Sequence, residues 1–100
     1  MEDLNANFTI AVHPGDILRE MLQERAISQA QLARHLETDL ARINEICRRR
    51  RGISARMALM LAQALGTSPA LWMNLQKNWE LSQVDPRRSI GSIKPLKVPA

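Results

Sequence analysis

The sequence predicts an all-α domain of five short helices. Aromatic residues make up only 3% of the 100-residue chain, while hydrophobic residues make up 45%, so aliphatic side chains must fill the core. Apolar residues recur at intervals of three and four, as on the buried face of a helix. Residues that favour helix N-termini precede each of these segments. Together the three observations favour helices packed on helices over a sheet.

The first two helices have recognisable starts. The segment 13–16, with sequence HPGD, places proline at the first helical position and a carboxylate near the positive end of the helix dipole. This helix is expected to extend to about Arg25. Ser28 and Gln31 have the spacing of a capping box for the second helix. The predicted buried faces are Ile17, Leu18, Met21 and Leu22 on the first helix and Leu32, Ala33 and Leu36 on the second.

Three further helices follow. Asp39 and Ser54 are the expected N-caps of the third and fourth helices, and Gly66 suits a left-handed C-cap at the end of the fourth. Ser68 followed by Pro69 begins the fifth. The predicted apolar faces are Leu40, Ile43, Ile46 and Cys47; then Met57, Ala58, Leu61, Ala62 and Leu65; then Leu71, Trp72, Leu75 and Trp79.

The chain divides into a lead-in at residues 1–12, a helical domain at 13–82 and a flexible basic tail at 83–100. The last 15 residues, PRRSIGSIKPLKVPA, contain three prolines, a glycine and four basic residues but no acidic residue. Such a segment is typical of a tail and not of a further packed helix.

Composition argues against several classes of protein. The single cysteine, Cys47, cannot form an internal disulfide, and no metal-ligand spacing surrounds it, so we expect a small core residue and no metal or cofactor. No grouping of catalytic residues and no phosphate-binding glycine loop is visible, so we do not expect an enzyme. No apolar run reaches the ~20 residues that span a membrane, and the N-terminus lacks a signal-peptide pattern. A cytoplasmic location is expected.

Residues 28–46 have the pattern of two short helices joined by a tight turn, and four arginines follow at 48–51. Ala33 is small enough for a close, steep crossing of the two helices. Ile43 and Ile46 can share the core beneath them. Two helices of this kind, with positive charge at the end of the second, are typical of proteins that read the DNA major groove.

The outward residues of the third helix would then meet bases or nearby phosphates. Arginine pairs with guanine, asparagine with adenine, and glutamate accepts from cytosine. Ser28 and Gln29, at the start of the second helix, could contact a phosphate. The arginines at 48–51 could clamp phosphates or simply cap a helix C-terminus through its dipole. The outward residues are Ala41, Arg42, Asn44, Glu45 and Arg48.

One position departs from the usual motif. The turn commonly holds a left-handed glycine, and here that place falls on Glu37. A left-handed residue other than glycine costs on the order of 1 kcal/mol. A shifted turn backbone is therefore one expected consequence.

Three segments carry a resemblance to a known family: HPGDIL at 13–18, SQAQLA at 28–33 and RGISARMALMLAQALGTSPALWMNLQ at 51–76. The chain resembles HigA-type antitoxins, the VapI group of the Xre-like helix-turn-helix family, over roughly residues 8–82. The resemblance implies a five-helix Xre/lambda-repressor-like domain and a homodimer on a palindromic operator. It also implies repression of the chain's own operon and neutralisation of a HigB-type toxin that cleaves messenger RNA.

Carried over by position, the recognition helix of this family corresponds to residues 39–47. Trp72 is expected in the core, and Leu75 and Trp79 at a dimer contact, because aromatic residues are enriched at interfaces. The tail could remain solvated, touch DNA or contact the toxin. The predicted DNA contacts are Ser28, Gln29, Leu40, Ala41, Arg42, Asn44, Glu45, Arg48, Arg49 and Arg51.

An alternative of a different class is a module that captures a partner protein and whose DNA binding is weak or lost. Glu37 in the turn and Glu45 on the groove-facing side favour this alternative.

Overall fold

The computed structural model describes residues 11–99. This range contains six helices and no strand, which confirms the all-α prediction and its five main helices. Residues 1–10 of the predicted lead-in lie outside the described range. The helices are α1 (Pro14–Glu24), α2 (Gln29–Leu36), α3 (Leu40–Cys47), α4 (Ala55–Leu65), α5 (Pro69–Ser82) and α6 (Pro86–Ser89).

Most of the helix starts follow the predicted capping chemistry. The Ser28 hydroxyl accepts from the Gln31 backbone N–H at 3.0 Å, and the Gln31 side chain accepts from the Ser28 N–H at 2.8 Å. The hydroxyls of Ser54 and Ser68 accept from the backbone N–H groups of Met57 and Leu71, at 3.1 Å each, and so cap α4 and α5 without a return bond. Asp39 has the extended backbone of an N-cap, but its side chain makes no capping bond.

A one-turn helix, α6, interrupts the predicted tail. The Asp85 carboxylate accepts from the backbone N–H of Arg87 at 3.0 Å and so caps this turn. From Gly91 to Pro99 the structure has no helix or strand, and the side chains are exposed. The helix α6 is only four residues long, and the division of the chain into a domain and a tail stays a prediction.

The core lies between the inner faces of the five main helices. Trp72 is fully buried, as predicted, and its indole N–H donates to the Thr67 hydroxyl at 2.8 Å. Cys47 is also a core residue, and burial raises the pKa of its thiol. The other core residues are Leu18, Leu22, Leu32, Ala33, Ile43, Ile46, Ile53, Met57, Ala58, Leu61 and Leu65.

Two residues predicted for the apolar faces lie at the surface. Leu40 is 50% exposed and Leu71 is 36% exposed. Leu40 is the first residue of the eight-residue α3, and α1 packs against the opposite end of that helix, at Ile46. Burial of Leu40 was therefore a wrong prediction, whereas its exposure is consistent with its predicted place on the outer surface of α3.

Candidate nucleic-acid interface

The turn between α2 and α3 sets the direction of α3. Glu37 ends α2 in the left-handed conformation, with φ 54° and ψ 45°. The Thr38 N–H donates to the Ala33 carbonyl at 2.9 Å, and the Glu37 N–H donates to the Arg34 carbonyl at 3.1 Å. The left-handed residue thus falls at Glu37, where the motif places it. These bonds keep the turn tight although no glycine is present.

The inner faces of α2 and α3 share the domain core. Leu32 and Ala33 on α2 are 3% exposed, and Ile43 and Ile46 on α3 are fully buried. This confirms that the two isoleucines lie in a core shared with Leu32, while the predicted steep crossing at Ala33 stays a prediction. Because an α-helix buries only one stripe of its surface, the remaining residues of α3 face outward.

The outward surface of α3 carries most of the residues predicted to contact DNA. Leu40, Ala41 and Arg42 are exposed, and Asn44 and Glu45 are half-buried. Within residues 11–99, no carboxylate lies within ion-pair distance of Arg42. Its guanidinium can therefore donate to an outside acceptor such as a guanine base or a phosphate.

Two of the predicted contacts are joined to each other. The Asn44 side-chain amide donates to the side-chain carbonyl of Gln29 at 3.1 Å. This bond connects the outward surface of α3 to the first residue of α2. Sequence spacing placed both residues at the interface but did not indicate their pairing.

The four arginines at 48–51 do not act alike. Arg49 binds Asp16 with two donors, Nε to Oδ1 at 3.0 Å and Nη2 to Oδ2 at 2.7 Å. Arg51 donates through Nε to Glu45 at 2.8 Å. Arg48 and Arg50 are exposed, and no carboxylate of residues 11–99 lies within ion-pair distance of either.

The ion pair with Arg51 alters the effect that the charge of Glu45 is expected to have on a nearby phosphate. Both side chains remain partly exposed, Arg51 at 47% and Glu45 at 43%. An exposed pair contributes little stability, about 0–1 kcal/mol. The Arg51 charge offsets part of the repulsion that Glu45 would exert on a nearby phosphate.

Sequence reasoning missed one cation beside this surface. Arg56, on the first turn of α4, lines a small cleft of about 60 Å³ together with Arg42, Thr38 and Ser54. The sequence could have indicated this residue, because Arg56 lies two positions after the predicted N-cap Ser54 and therefore on the first turn of α4. The cleft, which Glu37 also lines, brings Arg42 of α3 and Arg56 of α4 to the same side of the domain.

Gln76 is a second residue that sequence reasoning missed. Its side-chain carbonyl accepts from the Ile53 backbone N–H at 2.6 Å, and its amide donates to Glu80 at 2.7 Å. Only 9% of Gln76 is exposed. The bond fixes the segment that follows the arginines onto α5. A polar residue within an apolar helical stripe gave no indication of this role.

The two residues predicted for a dimer contact differ in their surroundings. Leu75 is partly buried against the core. Trp79 is half-buried and packs edge-to-face on the His13 ring, with centroids 5.1 Å apart. The guanidinium of Arg49 lies 5.7 Å from the Trp79 ring centroid. Trp79 therefore has intramolecular partners, and its dimer role stays a prediction.

His13 is nearly fully buried, at 2% exposure, at the start of α1. Its Nδ1 accepts from the Gly15 backbone N–H at 2.9 Å, which caps the helix. Burial lowers the pKa of His13, the nearby Asp16 raises it, and Arg49 lowers it. The neutral imidazole is the form that accepts this bond. Within residues 11–99, no group of three potential metal ligands is present.

Comparisons with known proteins agree with this geometry. A profile described as helix-turn-helix (HTH_3) matches residues 18–72. Virulence-associated protein I of Dichelobacter nodosus is 40% identical over 92 residues, which cover 90% of this chain and 85% of the relative. The chain belongs to the helix-turn-helix family, and within it to the group of HigA-like and VapI proteins.

Two solved structures support the same assignment. The Pseudomonas aeruginosa antitoxin HigA, solved with the higBA promoter, is 41% identical with a TM-score of 0.77, covering 88% of this chain and all of that one. An addiction module antidote protein of the HigA family from Coxiella burnetii is 33% identical with a TM-score of 0.72, covering 85% and 97%. Members of this helix-turn-helix antitoxin family are not enzymes, and neither is this chain. Among residues 11–99, no helix has the length and apolar character needed to cross a membrane.

Proposed function

We propose that this chain is a DNA-binding antitoxin that represses its own operon. The observation that carries the proposal is the outward surface of α3, where exposed Arg42 and half-buried Asn44 lie above a fully buried Ile43 and Ile46. Side chains of these types match guanine and adenine edges in the major groove. The similar antitoxin HigA was solved with its promoter, which favours the same partner for this chain.

Phosphate contacts would come from both ends of the motif. Arg48 and Arg50 follow α3, are exposed and form no ion pair within residues 11–99, and Ser28 and Gln29 stand at the N-terminus of α2. A helix N-terminus and exposed guanidinium groups both favour phosphate. We place Arg51 at the edge of this surface, because its charge is shared with Glu45.

The proposed assembly is a homodimer on a palindromic operator. Two copies would place their α3 helices in successive major grooves, about 34 Å apart. The C-terminal half of α5, with Leu75 and Trp79, is the proposed dimer contact. The proposed protein partner is a HigB-type toxin that cleaves messenger RNA, whose activity the antitoxin would neutralise.

A gel-shift assay on DNA upstream of the chain's own coding sequence tests the repressor function. We expect binding at low salt that weakens steeply as salt rises. The double variant Arg42→Ala with Asn44→Ala should abolish the shift while toxin neutralisation persists. Gln63→Ala, at an exposed position of α4, is the matched control and should bind normally. The absence of a shift at low salt would contradict the proposal.

A further inference from the structure

The first turn of α1 is seated directly on the C-terminal end of α3. A Cβ atom at Gly15 would overlap the carbonyl oxygen of Ile46. Arg19 donates through Nη1 to the Cys47 carbonyl at 2.8 Å. The positive end of one helix dipole thus meets the negative end of another. The residues that follow α3 therefore lie within reach of α1.

Arg49 makes the outermost of these contacts. Two guanidinium nitrogens donate to the two carboxylate oxygens of Asp16, at 3.0 Å and 2.7 Å. The same guanidinium lies over the ring of Trp79 on α5, with its Cζ 5.7 Å from the ring centroid. We call this bidentate pair the Asp16–Arg49 clasp. It joins α1, the end of α3 and α5 at one point.

The backbone of Arg49 is held in an uncommon conformation. Its φ is +63°, in the left-handed region that side chains rarely adopt. The neighbouring Arg50 N–H donates back to the Glu45 carbonyl at 2.8 Å, which closes the end of α3. The clasp holds the side chain that this backbone conformation presents to α1. Such local strain persists where surrounding contacts fix it.

The clasp also occupies the guanidinium N–H donors of Arg49 that a phosphate would need. A bidentate carboxylate uses the same planar donors that bind a phosphate. Asp16 has a side-chain exposure of only 16%, and the hydrogen bond from Arg49 holds its pKa below the ordinary value. A phosphate would have to displace a nearby, ionised competitor.

We infer that Arg49 is a positioning residue, which together with Asp16 fixes the end of α3 on α1 and so sets how α3 enters the major groove. This inference rests on the proposed DNA binding. It replaces the sequence-based prediction of Arg49 as a direct DNA contact with an indirect role. Of the four arginines at 48–51, Arg48 and Arg50 are then the proposed phosphate contacts.

The variant Asp16→Asn separates the two roles of Arg49 by the sign of its effect. If Arg49 bound phosphate, removing the competing carboxylate would tighten operator binding. The slope of log affinity against log salt concentration would also become steeper by about 1. The clasp predicts the opposite, an operator affinity that falls by about threefold to tenfold with an unchanged salt dependence. Binding to unrelated DNA should change little. The specificity ratio, which is the affinity for the operator divided by the affinity for unrelated DNA, should therefore fall.

Two controls make the result decisive. Glu20→Gln removes the same charge from an exposed position of α1 that forms no ion pair within residues 11–99, and it should not weaken binding. Arg49→Lys keeps the charge but loses the planar fork, so it should lower the specificity ratio as Asp16→Asn does. It provides a second test if Asp16→Asn is poorly folded by circular dichroism.

Wild-type binding to the upstream DNA, measured in the same series by fluorescence anisotropy, tests the proposed function by itself. If the wild type binds and Asp16→Asn binds equally or more tightly, the positioning role is wrong while the repressor function stands. If Arg49→Lys keeps the wild-type specificity ratio, the positioning role is also wrong.

Discussion

Asn44 of α3 donates its side-chain amide to Gln29 of α2 at 3.1 Å. Only one of the two amide hydrogens of Asn44 is needed for this bond, and its Oδ1 remains available as an acceptor. A donor and an acceptor are what bidentate contact with adenine requires. Gln29 therefore orients Asn44 without using up its capacity to recognise a base.

Replacing Gln29 with Ala should weaken this orientation. We expect the variant to lose part of the discrimination at the base pair that Asn44 is proposed to contact, by less than the roughly 1–3 kcal/mol of a complete bidentate contact. Competition binding with operators substituted at single base pairs measures this loss. Gln63→Ala is the control, and equal discrimination by both variants would contradict the prediction.

Arg42 and Arg48 should contribute to binding in different ways. Arg48→Gln should weaken binding to all sequences alike and reduce the salt slope by about 1, as expected for a phosphate contact. Arg42→Ala should relax specificity at one operator position, at a cost of about 1–3 kcal/mol. Titrations at several salt concentrations distinguish the two. A sequence-specific effect of Arg48→Gln would show that the roles are misassigned.

Gly15 should tolerate no side chain. Because an added Cβ would overlap the Ile46 carbonyl oxygen, Gly15→Ala must move α1 away from α3, at a cost of about 1–3 kcal/mol of unfolding free energy. Urea denaturation measures this cost. Gln23→Ala, exposed on the same helix, should change stability by less than about 0.5 kcal/mol. A neutral Gly15→Ala would disprove the close approach of the helices.

Stability should depend on pH through His13. Its pKa is lowered from 6.5 by burial, so the unfolded chain binds a proton more readily than the folded chain does. The stabilisation is complete above about pH 6.5 and is lost as pH falls through the lowered folded-state pKa. Urea denaturation between about pH 7.5 and pH 5 should show this fall.

The variant His13→Asn tests the source of that dependence. Asparagine can cap a helix but does not titrate, so the fall in unfolding free energy over this pH range should become shallower. Gln63→Asn, at an exposed position of α4 that carries no titratable group, should keep the wild-type profile. An unchanged profile in His13→Asn would assign the pH dependence to other groups.

Local signals predicted most of the fold because helix caps act over three residues. Ser28, Ser54 and Ser68 each cap a helix as predicted. Leu40 was misassigned to the core because periodicity does not reveal where a short helix meets its neighbour. Gln76 was missed because its partner, the Ile53 N–H, lies 23 positions away in sequence.

The candidate site was predicted in composition but not in its internal pairing. Spacing placed Arg42, Asn44 and Glu45 on the outer side of α3, and the structure agrees. The arginines at 48–51 are alike in sequence, and only their tertiary partners distinguish them. Asp16, which pairs with Arg49, lies 33 positions earlier, so no local pattern could have revealed the clasp.

The central proposal is that α3 reads the major groove, and methylation interference on the upstream DNA tests it most directly. Methylation of guanine N7 marks the major groove, and methylation of adenine N3 marks the minor groove. We predict interference at guanine N7 in two patches about one helical turn apart, which the variant Arg42→Ala weakens. Interference confined to adenine N3, or none at a DNA fragment that the protein binds, would contradict major-groove reading by α3.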